Sequence, residues 1–133
     1  MKTIKKISLL PIITSFLEDN VVEIAKKLRE FQERRIFITD KKGAPAGIIS
    51  LIDINDRVVA QGKDPKKTKA KDIMSYPLKL ILDINTSLEE AKKMMIHNNN
   101  YYVPIVEKGK IKGLLNYSLV IENMAKKDAK KKS

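Results

Sequence analysis

Few residues in this sequence have the types and spacing that catalysis or metal binding requires. The single histidine, His97, stands beside three asparagines near the predicted end of a helix, where the helix dipole favours it. The chain has no cysteine and no second histidine, so His97 has no partners for a zinc site or a nucleophilic pair. Glu89 and Glu90 are adjacent and lie on different faces of a helix, which makes them a poor carboxylate pair. We therefore predict no catalytic residue, no metal site and no catalytic cofactor, and we expect a protein that is not an enzyme.

Ser50 and Asp53 are the polar pair with the most informative spacing. Ser50 stands where a helix from about Leu51 to Ala60 is predicted to begin, and Asp53 lies one turn into it. Ser-x-x-Asp at this place is an ordinary capping arrangement. The same place also offers free N–H groups that favour a phosphate, and a carboxylate that can accept two hydroxyl groups. The residues alone leave both interpretations open, and the two roles can coexist.

The charge of the chain is concentrated in two segments. The 133 residues include 27 Lys or Arg and 16 Asp or Glu, for a formal charge of +11. Segment 62–72 has a net charge of +3 and segment 126–133 a net charge of +4, and the rest is ordinary. Such segments are typical of a solvated connector and tail, although they can also attract nucleic acid or another polyanion. The longest apolar stretches are far short of the ~20 residues that span a bilayer, so we expect no membrane segment and a cytoplasmic setting.

The elements that must position these residues occur twice. Residues 5–59 align without a gap on the residues 66 positions later, with ten identities among 55 pairs. Two Gly pairs and one Pro pair are among the identities, and these residue types constrain backbone geometry. A repeat of this length indicates two similar supersecondary units, neither of which buries its own apolar face alone.

Each repeat predicts the order β-α-β-β-α. Each repeat opens with an extended apolar run that contains a proline, at residues 9–13 in the first repeat and 77–82 in the second. A helix follows, with Asn20 as the predicted N-cap in the first repeat and Thr86 with Glu89 as the predicted capping box in the second. Two strands joined by a turn at Gly43 or Gly109 come next, and a last helix closes each repeat. We place the first repeat at residues 1–61, a basic connector at 62–71, the second repeat at 72–127 and a basic tail at 128–133.

The repeated pattern resembles the CBS domain, of which two copies form a Bateman module. The second repeat has the opening signature, Asp72-Ile73-Met74-Ser75-x-Pro77, and later Tyr102-Val103-Pro104-Ile105-Val106. The first repeat has the closing signature, Gly47-Ile48-Ile49-Ser50-Leu51-Ile52-Asp53. The resemblance covers about residues 5–127 and implies an α+β fold of two β-α-β-β-α repeats packed about a pseudo-two-fold axis. With no further domain in this sequence, it looks like a stand-alone CBS pair.

The resemblance also implies a ligand. CBS pairs typically bind AMP, ADP, ATP or S-adenosylmethionine in clefts between the repeats, with a Ser/Thr-x-x-Asp motif in contact with the ligand. Here that motif is Ser50 to Asp53, so we expect Asp53 to accept hydrogen bonds from the ribose and Ser50 to approach phosphate or ribose. The family layout adds four weaker candidates that are more often core residues than ligand contacts: Ile12, Ile13, Ile36 and Ile38. It also adds Pro104, which can equally be an edge-strand proline. Arg34, Arg35 and the connector lysines could reach phosphates, and the sequence does not choose among them.

The second repeat departs from the motif. Its matching stretch is Asn116-Tyr117-Ser118-Leu119, in which Asn116 can cap a helix and hydrogen-bond a ligand but Leu119 cannot hold a ribose. We therefore expect one good nucleotide cleft, built on the first repeat, and a degenerate second one. The expected partners are a small adenosine ligand, a second copy of the chain in a homodimer, and an unidentified regulated protein. Nucleic-acid binding through the lysines and a purely structural docking role are the alternatives.

Overall fold

The computed structural model describes residues 1–126, which form two compact units. We call residues Ile12–Leu78 the Ser50 unit, and residues Met1–Pro11 together with the chain from Lys79 onward the Asn116 unit. The strands are β1 (Thr14–Phe16), β2 (Arg35–Thr39), β3 (Pro45–Ser50), β4 (Leu82–Asp83), β5 (Tyr102–Glu107) and β6 (Lys110–Asn116). The α-helices are α1 (Val21–Phe31), α2 (Leu51–Ile54), α3 (Ala70–Ile73), α4 (Leu88–His97) and α5 (Tyr117–Ala125). A 3-10 turn covers Ile4–Lys6, and α2 continues as a π-helical turn over Asn55–Val59.

Each unit contains one three-stranded mixed sheet. In the Ser50 unit β1 pairs with β2 in parallel and β2 pairs with β3 antiparallel, and β4, β5 and β6 repeat this arrangement in the Asn116 unit. Alternate residues of the central strand enter the core beside one face of α1 or α4, as the period-2 and period-3.6 patterns require. The α+β class and the repeated β-α-β-β-α order are thereby confirmed.

The opening segment of each sequence repeat packs with the other repeat. Ile4 N donates to Thr86 O at 2.9 Å, and Leu10 and Leu114 exchange two backbone hydrogen bonds of 2.9 and 3.0 Å. In the Ser50 unit, Ile48 and Ser75 exchange an equivalent pair at 3.0 and 2.9 Å. These contacts assign residues 1–11 to the Asn116 unit and residues 70–78 to the Ser50 unit. The boundaries at 61 and 72 that the sequence predicts follow the sequence repeat alone.

Both sheets have a glycine where such an opening segment crosses the last strand. A Cβ added at Gly47 would lie 2.6 Å from Met74 Sδ and 2.8 Å from Ser75 O. A Cβ added at Gly113 would lie 2.8 Å from Leu9 Cβ and 3.1 Å from Leu10 O. These distances are shorter than van der Waals contact, so the two glycines occur because the backbones approach closely.

The gap-free alignment of the repeats is wrong by one residue through the first helix and the central strand. The buried residues of α1 are Val21, Ile24 and Leu28, and those of α4 are Leu88, Ala91 and Met95, each 67 positions later. The cap moves with them, because Glu90 N donates to Ser87 Oγ at 3.1 Å, so Ser87 rather than Thr86 is the N-cap. The identical Glu, Ala and Lys residues that suggested the offset of 66 are mostly exposed in the first repeat, and burial decides the structural equivalence.

The basic connector is an ordered part of the Ser50 unit. Thr68 is buried, its hydroxyl donates to Asp64 O at 2.8 Å, and its carbonyl accepts from Val21 N at 2.9 Å. Lys69 and Lys71 form ion pairs of 2.7 and 2.8 Å with Glu18, which neutralises part of the connector's charge. Polyanion binding through these lysines stays a prediction, and the tail at 128–133 lies outside the described residues.

Among residues 1–126, no helix combines the length and the apolar character that crossing a bilayer requires.

Candidate functional site

Ser50 and Asp53 meet where β3 ends and α2 begins. Ser50 has an extended backbone, its Oγ accepts from Asp53 N at 3.2 Å, and Asp53 Oδ2 accepts from Ser50 N at 2.8 Å. This reciprocal pair is a capping box, which satisfies two N–H groups that the start of a helix would otherwise leave unpaired. The capping interpretation of the motif is therefore confirmed. The structure also brings the two side chains together at a half-buried position, where the Asp53 side chain keeps 17% of its surface exposed.

Arg57 is a third member of this site that sequence reasoning missed. Its Nε lies 3.8 Å from Asp53 Oδ1, and its Nη1 donates to Ile73 O at 2.7 Å. Arg57 therefore connects the acid to the end of α3. The signal was present in the sequence, because an arginine four residues after an aspartate lies on the same helical face.

Two arginines stand beside Ser50 at the start of β2. Arg34 O accepts from Leu51 N at 3.0 Å, and Arg35 is the antiparallel partner of Ser50 in the β2–β3 ladder. Both arginine residues are exposed. The strand register thus selects Arg35 from the cations that the sequence left unranked, because directly opposite residues share a face of the sheet.

The four isoleucines predicted near the ligand occupy different environments. Ile36 and Ile38 are 0% exposed and belong to the core of the Ser50 unit. This burial agrees with the core interpretation that the sequence favoured for both residues, and a ligand contact by either stays a prediction. Ile13 packs against the same core, and Ile12, the first residue of the unit, is half-buried. A ligand contact by Ile12 or Ile13 stays a prediction.

Asn116 occupies the position of Ser50 in the Asn116 unit. Its Oδ1 accepts from Leu119 N at 2.8 Å, and it pairs across the β5–β6 ladder with Tyr102. Tyr117 N donates to Tyr101 O at 3.1 Å, and the rings of Tyr101 and Tyr117 meet edge to face at 5.4 Å. Leu119, which replaces the acid, packs against the core of its unit. Asn116 is therefore a helix cap, and its predicted ligand contact is untested.

Pro104 lies in the central strand β5 and is buried. It faces Leu114 on β6, while the pairing with β4 begins one residue later at Ile105. In the Ser50 unit the matching residue, Phe37, donates its N–H to Ile13 O at 3.2 Å, a hydrogen bond that a proline cannot make. Pro104 is buried at this position, and its predicted ligand contact stays a prediction.

Among residues 1–126, no group of three or more His, Cys, Asp or Glu side chains is arranged to hold a metal ion. His97 is exposed at the last position of α4, as its sequence position predicted.

Comparison with protein families finds the same domain twice. The CBS domain matches residues 4–60 and again residues 70–126. Among curated proteins, an uncharacterised protein of Methanopyrus kandleri is 34% identical over 112 residues, which is 84% of this chain and 57% of that protein. A CBS domain-containing protein of Arabidopsis thaliana is 24% identical over 115 residues, or 86% of this chain and 21% of its own length. The chain thus spans little more than half, or less, of these two relatives.

Solved structures share the fold at low sequence identity. The crystal structure of hypoxic response protein I with two coordinated zinc ions has a TM-score of 0.74 and 18% identity, covering 92% of this chain and 99% of that one. A CBS domain pair/ACT domain protein from Thermotoga maritima has a TM-score of 0.70 and 18% identity, covering 93% and 96%. At such identity the likeness shows the fold and not the ligand.

Proposed function

Since this chain belongs to the CBS domain family and carries two such domains in tandem, we propose that it binds an adenosine-containing ligand at Ser50 and Asp53. Pairs of CBS domains are in general regulatory ligand-binding modules, and they are typically not catalytic. The ligands we propose are AMP, ADP, ATP or S-adenosylmethionine. All four have a ribose with two neighbouring hydroxyl groups, which is the feature a single carboxylate can bind.

The observation that supports this proposal is that the Asp53 carboxylate has hydrogen-bond acceptor positions that the protein does not use. A carboxylate has about four acceptor positions on its two oxygens. In Asp53, Oδ2 uses one for Ser50 N, while Oδ1 is 3.8 Å from Arg57 Nε, too far for a strong hydrogen bond. The capping box therefore holds the carboxylate in one orientation and leaves acceptor positions for two ribose hydroxyls.

The Ser50 hydroxyl has complementary capacity. Its oxygen accepts from Asp53 N, and it donates to no protein group among residues 1–126. A hydroxyl has one proton to donate as well as two lone pairs. Ser50 can therefore donate to a ligand oxygen while it remains the cap of α2, so the structural and ligand-binding roles do not compete.

A titration with and without the Asp53 charge tests the proposal. Asp53→Asn retains an oxygen acceptor for Ser50 N but removes the charge, so the cap is preserved better than in Asp53→Ala. Hydrogen bonds to a charged group are worth about 1.5–3 kcal/mol each, so we expect Asp53→Asn to weaken binding roughly 10- to 100-fold. Calorimetric titration with the four ligands measures this loss, and ligand at ~100 Kd should raise wild-type stability by about 2.7 kcal/mol.

The matched control is Asp56→Asn. Asp56 is an exposed acid on the same helical segment, and its Oδ1 contacts only the neighbouring Asn55 side chain. The substitution Asp56→Asn removes the same charge three residues after Asp53 and should leave ligand binding unchanged. If no adenosine compound binds, or if Asp53→Asn binds as tightly as the wild type, this function is wrong.

We also propose that the module acts as a homodimer and on a regulated partner protein. Ile52 and Val59 expose 70% and 66% of their surface on the helical segment after Ser50, and exposed apolar side chains of this kind suit an interface. The resemblance to the family implies that a second copy of the chain covers these side chains. Sedimentation velocity checks this, and a monomer at working concentration contradicts it.

A further inference from the structure

Four segments of the Asn116 unit lie side by side at one end of its sheet. Lys5 N donates to Ile84 O at 2.9 Å, and Ile84 N donates to Val106 O at 2.8 Å. Val106 pairs in turn with Ile111 across the β5–β6 ladder. Hydrogen-bonded strands are about 4.8 Å apart, so the backbones from Lys5 to Ile111 span roughly 14 Å. The turn at Gly109 closes this end of the sheet.

Five exposed lysines stand on these segments, and we call them the lysine row. Two lie in the 3-10 turn and three lie at the turn between β5 and β6: Lys5, Lys6, Lys108, Lys110 and Lys112. Among residues 1–126, the only ion pair of the row is a loose one of 3.9 Å between Lys112 Nζ and Glu107 Oε1. Glu107 and Asp83 are the acids on the same segments, so the row keeps a clear positive excess.

The matching end of the Ser50 unit has its charge neutralised. Lys71 corresponds to Lys5, because each donates its backbone N–H to the carbonyl of the residue that follows the first strand of its sheet. Glu18 lies 2.8 Å from the Lys71 ammonium group and also pairs with Lys69. Asn85 stands at the place of Glu18 in the Asn116 unit and cannot neutralise Lys5.

Most of the other row members also have counterparts without a positive charge. Pro45 pairs with the end of β2 as Ile111 pairs with β5, which aligns the two turns. On this alignment the row members Lys110 and Lys112 correspond to Ala44 and Ala46, Lys6 corresponds to Asp72, and Lys108 corresponds to Lys42. The same backbone thus forms with alanine or aspartate at these places. The lysines are not a requirement of the fold, and their charge is available for a partner.

We propose that the lysine row binds the phosphate backbone of double-stranded nucleic acid. A duplex carries one negative charge per ~1.7 Å of its axis, so several phosphates face a row that spans roughly 14 Å. Lysine binds a phosphate as a point charge, without the planar fork by which arginine pairs with bases and phosphates. The segments that carry the row, residues 4–6 and 107–112, contain no aromatic residue on which unpaired bases could stack. The expected contact is therefore independent of base sequence, and it uses neither Ser50 nor Asp53.

The experiment measures binding of a fluorescent DNA duplex of about 20 base pairs to the full chain by anisotropy. Titrations between about 50 and 200 mM salt give the slope of log K against log salt concentration, to which each neutralised phosphate contributes about −0.9. We expect a wild-type slope of about −4 from the row. The double variant Lys5→Gln with Lys6→Gln should lower its magnitude by about 2, and Lys108→Gln with Lys110→Gln should do the same.

The matched control is the double variant Lys41→Gln with Lys42→Gln. These are exposed lysines at the corresponding turn of the Ser50 unit, so the control removes the same charge from the same kind of turn. It should leave the slope unchanged. Thermal unfolding of each variant verifies that a loss of binding is not a loss of folding, and either row variant suffices if the other does not fold.

Three outcomes would overturn the proposal. The first is that the wild type does not bind the duplex, including the case in which it binds vesicles of anionic lipid instead. The second is that both row variants bind the duplex with the wild-type slope, which would place the contact elsewhere on the chain. The third is that the Lys41 and Lys42 control loses as much slope as the row variants, which would show a response to net charge and not to this surface.

Discussion

The junction at Ser50 and the junction at Asn116 have the same backbone and different chemistry. In both, a strand ends at a capping residue whose side-chain oxygen accepts an N–H three residues on. In both, the N–H after the cap donates to the carbonyl of the residue before the central strand. The side chains differ: Arg35, Asp53 and Arg57 surround the first cap, whereas Tyr102, Leu119 and Asn123 stand at the matching positions of the second.

This difference separates what the fold requires from what a ligand would require. The cap, the ladder register and the close-approach glycine occur in both junctions, because each satisfies a backbone group or a backbone contact. The charged side chains occur in one junction only, so folding does not demand them. Three predictions test this separation, in order of decreasing effect.

The largest effect on stability is expected at the glycines upstream of the two caps. Gly47→Ala and Gly113→Ala each place a methyl group within 2.8 Å of a neighbouring heavy atom, and overpacking of this kind destabilises by about 1–3 kcal/mol. Denaturant unfolding of both variants measures the change. Gly62→Ala is the comparison, because its added methyl group meets nothing within 4 Å and only its φ of +67° opposes the substitution. A loss at one of the two junctions only would show that their backbones are not equivalent.

A smaller effect is expected at the caps themselves. Ser50→Ala and Asn116→Ala each remove a side-chain acceptor from a helix start, which lowers the free energy of unfolding by about 1 kcal/mol. Ser50→Asn and Asn116→Ser should be nearly neutral, because serine and asparagine cap helices about equally well. Ser118→Ala, at an exposed position inside α5, is the control. The equivalence of the two caps is contradicted if either alanine variant is as stable as the wild type.

The smallest effect is expected at Glu18, which has no acidic counterpart in the Asn116 unit. Hydrogen bonds from Lys69 and then Lys71 lower the pKa of Glu18 from 4.5 to about 2. A lowered carboxyl pKa means that the stabilisation is present above about pH 4.5 and is lost as the pH falls towards 2. The wild type should therefore be slightly more stable than Glu18→Gln at pH 7, and the two should converge near pH 2.

Urea unfolding at pH 7, 4.5, 3 and 2 follows this convergence. The group is exposed, so the difference should be small and should shrink in high salt. Asn85, at the matching position of the other unit, provides a control substitution, Asn85→Gln, whose effect should not change with pH. A Glu18→Gln difference that grows as the pH falls has the wrong sign for this ion-pair network.

Local sequence patterns predicted a large part of the structure. Asn20 and Asn116 cap helices because their short polar side chains reach an N–H two or three residues on, and the buried positions of α1 recur at helical spacing. The turns at Gly43 and Gly109 have positive φ, as glycine there indicates. These features depend on neighbours in sequence, and so they can be read from the sequence.

The errors fall where distant contacts decide. Identical exposed residues set the repeat offset at 66 where burial sets it at 67, and Thr86 was named as the cap in place of Ser87. Ser50 and Asp53 form the cap that the sequence offered as one interpretation, and Ile36 and Ile38 lie in the core, as the sequence favoured; their ligand contacts stay predictions. Arg57 was missed, and Arg35 could not be ranked until the strand register was known.

By itself the sequence determined the repeat, the order of the elements, the capping motif at Ser50 and its loss at Leu119, because each follows from residue type and short-range spacing. Only the tertiary structure decided that residues 1–11 and 70–78 pack with the opposite repeats, that the connector is ordered, and that Arg35 faces Ser50. The physical reason is that backbone hydrogen bonds and close packing between distant segments leave little periodic signal in the chain that makes them.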